Sequence, residues 1–119
     1  MRRVLCIDDD VDMLDFVHDV LPDEQVDCAM TAEAGLALLW EQDYAAIVVD
    51  LRMPGIGGGF YDALAAHLPH LLPRVVFITG NTESDIGRRV RRAGVALLPK
   101  PFTGDDMADA VDRAAGRVP

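Results

Sequence analysis

Four acids, a threonine and a lysine sit beside short apolar runs in a way that could gather them. Asp8, Asp9 and Asp10 follow the run of residues 4–7, and Asp50 follows the run 46–49. Thr79 closes the run 75–78, and Lys100 comes just after the run 95–98. Carboxylates, a hydroxyl and an ammonium together can hold a divalent cation and a phosphoryl group. Two carboxylates about 5 Å apart repel by roughly 3 kcal/mol at an effective dielectric near 20, so the cluster stays ionised only beside a cation. Hard oxygen donors suit Mg2+, with Mn2+ able to replace it, whereas zinc would draw on His and Cys ligands that these positions lack. With the cation, Lys100 and the Thr79 hydroxyl cradling phosphoryl oxygens, Asp50 is the carboxylate placed to attack phosphorus, giving an aspartyl phosphate.

Taken singly, each residue has a plainer reading. An acid after a strand is more often a helix cap or a solvated side chain, and Asp10 and Asp12 are read that way. A lone Thr or Lys carries less still. The conjunction carries the chemistry, because the gaps of 41, 29 and 21 residues between Asp9, Asp50, Thr79 and Lys100 match two, one and one βα units. In a parallel sheet that spacing brings all four to the carboxyl ends of the strands, where ligands bind.

The elements needed to position them are legible in the hydrophobic pattern. Residues 4–7 read as a strand buried on both faces, followed by a helix with Met13, Phe16, Val17, Val20 and Leu21 on one stripe that stops at Pro22. A second strand falls around residues 25–30, Thr31 caps a helix with Leu36, Leu39 and Trp40 on one face, and residues 46–49 form a third strand ending on Asp50. The stretch 53–59, with Gly57, Gly58 and Gly59, reads as a loop with extra freedom, entering a helix near Phe60 that runs out by Pro69. Residues 75–78 make the fourth strand. Thr82 and Asp85 resemble a capping box for a helix with Ile86, Val90 and Ala93 inside, ended by Gly94. Strand five spans residues 95–98, with Pro99 placing it at a sheet edge, and Thr103 with Asp106 caps a last helix striped by Met107, Ala110, Val111 and Ala114. Five βα units predict a doubly wound α/β domain with helices on both faces.

Composition agrees with this and narrows the partners. The 119 residues are 50% hydrophobic, 26% charged and 6% aromatic, enough for one core. Eleven Lys and Arg against twenty Asp and Glu give a net charge of -9, which repels nucleic acid and anionic membrane surfaces. No apolar run reaches membrane-spanning length, and acidic residues begin by Asp8, so a cytoplasmic location is expected. Cys6 and Cys28 lack metal spacing and are expected to be small buried residues. His18, His67 and His70 lie away from the strand ends and are assigned no catalytic role.

The motifs Ile7-Asp8-Asp9-Asp10, Val49-Asp50-Leu51-Arg52-Met53-Pro54-Gly55, Ile78-Thr79-Gly80 and Lys100-Pro101-Phe102 resemble the receiver domain of two-component response regulators, over nearly the whole chain. The resemblance implies a flavodoxin-like five-stranded sheet in the order 2-1-3-4-5 and a single receiver domain over residues 1–119. It implies Asp50 as phosphoacceptor, with a phosphohistidine of a sensor histidine kinase or histidine phosphotransfer protein as donor. Asp9 would bind Mg2+ directly and Asp8 through water, with Asp50 and the main-chain carbonyl of Arg52 completing the protein ligands. Thr79 and Lys100 would bind phosphoryl oxygens, and Lys100-Pro101 is expected to be cis.

Such a domain catalyses its own phosphorylation and dephosphorylation but turns over no separate substrate, so no enzyme is expected. Its output would pass to a downstream effector protein or domain. Leu97 occupies the strand-five position where the family carries a switch aromatic, so a differently wired response is expected. Arg52 and Asn81 take positions that in this family line the approach of hydrolytic water.

Arg88, Arg91 and Arg92 share a side of the fourth helix, either as a solvated face or as a partner or homodimer surface answering Asp105, Asp106, Asp109 and Asp112. Two rival readings exist: a haloacid-dehalogenase-like phosphatase, whose motif order differs, and an interaction module independent of phosphorylation. The sequence carries no output domain and suits either a stand-alone receiver or one excised from a larger regulator or hybrid kinase.

Overall fold

A computed structural model describes residues 2–53 and 57–116. Five strands, β1 (Arg3–Ile7), β2 (Gln25–Ala29), β3 (Ala46–Asp50), β4 (Val75–Thr79) and β5 (Ala96–Pro99), form one parallel sheet in the order β2-β1-β3-β4-β5. The helices between and after them are α1 (Val11–Val20), α2 (Ala32–Glu41), α3 (Gly57–His67), α4 (Asp85–Arg92) and α5 (Gly104–Ala114), with a 3-10 turn at Pro69–Arg74 ahead of β4. Every residue of β3 and β4 is buried, because helices cover both faces. Pro99 lies on the edge strand β5, where its missing N–H costs no ladder bond.

The period-2 alternation of the strands divides the core into two layers. Val4, Cys6, Val48, Val76 and Ile78 face α1 and α5, meeting Leu14, Val17, Met107 and Val111. Leu5, Ile7, Ile47, Val49 and Phe77 face α2, α3 and α4, meeting Leu39, Phe60, Leu64 and Val90. Among the described residues, no helix is long and apolar enough to cross a membrane.

Several local expectations need correction. Helix α3 begins at Gly57, three residues before Phe60, so the three glycines lie inside it. Phe60 and Leu64, one turn apart and both buried, carry the helix past the glycine cost. The rest of the expected loop, residues 54–56, lies outside the described residues.

Ser84, not Thr82, caps α4, accepting the Gly87 N–H at 3.1 Å. Thr82 is drawn into a turn in which the Asn81 side chain accepts the Glu83 N–H at 3.0 Å. Ala93 is exposed rather than inside, and Gly94 follows at φ 77°, the left-handed C-terminal position expected of it. Trp40 is 64% exposed because the inner face of α2 is centred on Ala32, Gly35 and Leu39. Gly35 sets that centre, since a Cβ there would come within 2.5 Å of Ile7 Cδ1. On α1 the buried positions are Leu14 and Val17, with Met13, Phe16 and Val20 half-buried beside them.

Strand β5 starts one residue late, at Ala96. Cys6 is buried and its thiol is pushed up by desolvation, but Cys28, paired with it across β1 and β2, is exposed because β2 is the other sheet edge. Both thiols are free.

Candidate functional site

The carboxyl ends of β1, β3, β4 and β5 deliver Asp8, Asp50, Thr79 and Lys100 to one place. Asp8, Asp50 and Thr79 are the buried polar residues of the described chain, at 1%, 3% and 3% exposure. Such burial needs partners. Asp50 Oδ1 accepts the Arg52 backbone N–H at 2.8 Å. Asp50 Oδ2 accepts from Lys100 Nζ at 3.3 Å, and the Arg52 guanidinium lies 3.9 Å from the same oxygen. Lys100 is held there by its own backbone N–H, which donates to the Thr79 carbonyl at 2.8 Å, and Lys100-Pro101 is cis as expected.

Asp8 is placed differently. Its Oδ1 accepts the Asp10 N–H at 2.9 Å, while Oδ2 is buried without a hydrogen-bond partner. Desolvation pushes the Asp8 carboxyl up to about 6; the Asp10 N–H opposes this, the charge of Asp50 adds to it, and Lys100 counters in part. A buried acid with one orphaned oxygen beside a second carboxylate is suited to a hard cation, which would satisfy that oxygen and offset the repulsion.

The expected ligand set is not gathered whole. Asp9 is exposed, and among the described residues no three His, Cys, Asp or Glu side chains are grouped to hold a metal ion. The pair Asp8 and Asp50 therefore fits Mg2+ as a partial side-chain set, consistent with a cation that keeps several waters. Asp10 caps α1 by accepting the Asp12 N–H at 3.0 Å, so the plain reading of Asp10 was the right one.

Thr79 is engaged on the loop side. Its Oγ1 donates to the Asn81 carbonyl at 3.1 Å and accepts the Asn81 N–H at 3.0 Å, locking the start of the β4–α4 loop. Next to it a recess of about 390 Å³ is lined by Leu51, Arg52, Thr79, Asn81, Ser84 and Ile86.

Among the described residues of one chain, the ion pairs of the α4 arginines are made with acids outside α5. Arg88 pairs with Asp85 at 3.0 Å, Arg91 with Glu83 at 3.1 Å and Arg89 with Asp62 of α3 at 2.6 Å, while Asp112 is held by Arg2. Sequence reading passed over Tyr61 and Asp62, whose contact with Arg89 spans two helices and leaves no periodic signal.

A family model described as the response regulator receiver domain matches residues 4–112. A response regulator receiver protein of Anaeromyxobacter sp. (strain Fw109-5) is 34% identical over 118 residues, covering 92% of this chain and 47% of that one. The hydrogenase transcriptional regulatory protein HoxA of Cupriavidus necator is 34% identical over 115 residues, covering 93% of this chain and 23% of that one. The chain thus spans less than half the length of either. A response regulator receiver domain protein from Clostridium thermocellum superposes with a TM-score of 0.84 at 24% identity, covering 98% of this chain and 96% of that one, a likeness of fold.

Proposed function

The chain belongs to the response regulator receiver domain family of two-component signalling, and we propose that Asp50 is its phosphoacceptor, taking a phosphoryl group from a phosphohistidine of a sensor histidine kinase or phosphotransfer protein. The observation that carries this reading is the buried Asp50 carboxylate, fixed through Oδ1 and facing Lys100 through Oδ2. Fixing one oxygen orients the other for attack. As Asp50 forms its O–P bond, the donor's N–P bond breaks and the histidine nitrogen leaves with its electron pair.

Lys100 turns from the carboxylate to a phosphoryl oxygen, and the Thr79 hydroxyl exchanges its Asn81 contact for another. Asp8, Asp50 and the main-chain carbonyl of Arg52 would hold Mg2+, with Asp9 reaching it from the exposed side. A bound divalent cation supplies positive charge that keeps these carboxylates ionised and offsets charge on the phosphoryl group. The domain catalyses this transfer and its own dephosphorylation and hands its signal to an effector protein or domain. The Arg52 guanidinium, already 3.9 Å from Asp50, shields the phosphoryl group from water.

Incubation with labelled acetyl phosphate and Mg2+ tests the reading. One label per chain is expected on the parent, with none on Asp50→Asn and none in excess chelator. An unlabelled parent, or a label that survives Asp50→Asn, overturns it. Steady hydrolysis of a small phosphate ester would mark a phosphatase instead.

A further inference from the structure

Helix α4 has little apolar hold on the molecule. Gly87 and Val90 are its buried residues, Ile86 is half-buried, and Arg88, Arg89, Arg91 and Arg92 fill half of its eight positions. Arg88 and Arg91 are tied to Asp85 and Glu83, within the helix and its leading loop. Among the described residues, Arg89 is the arginine of α4 whose ion pair crosses to another helix. Its guanidinium is 2.6 Å from Asp62 Oδ1 and lies 5.4 Å from the centre of the Tyr61 ring, both on α3.

Tyr61 in turn is half-buried and sits 6.3 Å from the ring of Phe77, which is fully buried in β4 two residues before Thr79. The other end of the same route is the loop. Thr79 Oγ1 binds both backbone groups of Asn81, and the loop lies tight on the first turn of α4, since a Cβ at Gly87 would meet Thr82 O at 2.9 Å and Asn81 O at 3.2 Å. Displacing the loop must therefore displace α4, and α4 cannot leave α3 with Arg89 still clamped.

We propose that Arg89, held between Tyr61 and Asp62, is a positioning residue that latches α4 to α3 in the unphosphorylated domain and is released when Asp50 is phosphorylated. This rests on the phosphoacceptor reading above. The latch is suited to a switch because its partners are half exposed, at 48% for Arg89 and 60% for Asp62, so solvent screens the pair and keeps it weak enough to open. Coupling is reciprocal: whatever factor the latch contributes to the resting state, its loss must return as tighter binding of the phosphoryl group.

The test uses beryllium trifluoride with Mg2+ as phosphoryl mimic, together with amide hydrogen exchange. In Arg89→Gln the amides of α4 should exchange about three- to tenfold faster in the resting protein, and half-saturation by the mimic should fall by the same factor. Amides of β1 and β3 should not change, and Arg89→Lys, which keeps the charge over the ring, should remain near the parent. Unchanged α4 exchange and unchanged half-saturation in Arg89→Gln overturn the latch, as does an equal rise throughout the sheet. A parent that does not bind the mimic overturns the phosphoacceptor reading and with it the coupling. That failure has its own signature, because α4 exchange in resting Arg89→Gln would still rise.

Discussion

Asp8 and Asp50 share a burial that neither would tolerate alone, but their solutions differ. Asp50 takes Lys100 and a backbone N–H; Asp8 keeps a buried oxygen with no partner. A folded carboxyl raised to about 6, above its ordinary value, favours folding while protonated. Its contribution is full below the unfolded value and is lost as the pH rises through about 6.

In metal-free solution the parent should therefore lose stability between about pH 4 and 6 on account of this group, and Asp8→Asn should flatten that slope. Asp8→Asn keeps the bond to the Asp10 N–H while removing the buried charge, so at pH 7 it should gain about 1–3 kcal/mol in urea unfolding without metal. Millimolar Mg2+ should stabilise the parent and do less for the variant. A variant no more stable than the parent at pH 7 would show that the orphaned oxygen carries no cost. The sequence revealed which acids reach the strand ends, because strand phase follows composition. It could not show that Asp8 is buried and Asp9 exposed, which depends on where β1 stops relative to α1.

At the scale of elements, the strands and the α5 capping box were legible because their signals are local. Thr103 Oγ1 accepts the Asp106 N–H at 3.1 Å while Asp106 accepts the Thr103 N–H at 2.9 Å, as the spacing alone implies. Helix α3 was not legible at its start, since three glycines favour a loop by conformational entropy and only the tertiary burial of Phe60 and Leu64 reverses the choice. Leu97 packs against the same layer as Tyr61 and Ile86, a layer whose aromatics Tyr44, Phe60, Tyr61 and Phe77 all come from outside β5.

The β4–α4 connection gives a prediction of its own. Alanine normally improves on glycine inside a helix by about 1 kcal/mol. At Gly87 the added carbon meets two backbone oxygens, Thr82 O at 2.9 Å and Asn81 O at 3.2 Å, so the sign reverses. Gly87→Ala should cost about 1–2 kcal/mol in the urea midpoint, while Gly80→Ala, with nothing within 4 Å, should be tolerated. A stabilised Gly87→Ala would mean the loop yields freely, and the rigid link between Thr79 and α4 would be lost with it.

Over the whole molecule, chemistry and stability sit at opposite ends of the sheet. The carboxyl ends of the strands hold buried charge that costs stability; the amino ends hold Arg2, which joins the lead-in of β1 to Glu24 before β2 and, at 2.8 Å, to Asp112 of α5. That contact closes a separation of 110 residues and could not be read from any local pattern. In a chain with net charge -9, a cation shared by two acids relieves repulsion at the point where the first strand and last helix meet. Glu24 has 10% of its side chain exposed, so the Arg2 guanidinium acts on it where water screens little. Arg2→Leu should therefore cost about 2 kcal/mol, a value lowered from a fully buried pair because Asp112 is 36% exposed. The loss should shrink in 0.5 M NaCl relative to roughly 0.05 M, since only the exposed arm is screened well. Labelling of Asp50 by acetyl phosphate at low urea should be unchanged, because Asp8, Asp50, Thr79 and Lys100 lie at or just past the opposite, carboxyl ends of the strands. A variant with the parent's midpoint would show that the tie is incidental, and one that folds stably but loses labelling would show that the two ends of the sheet are coupled.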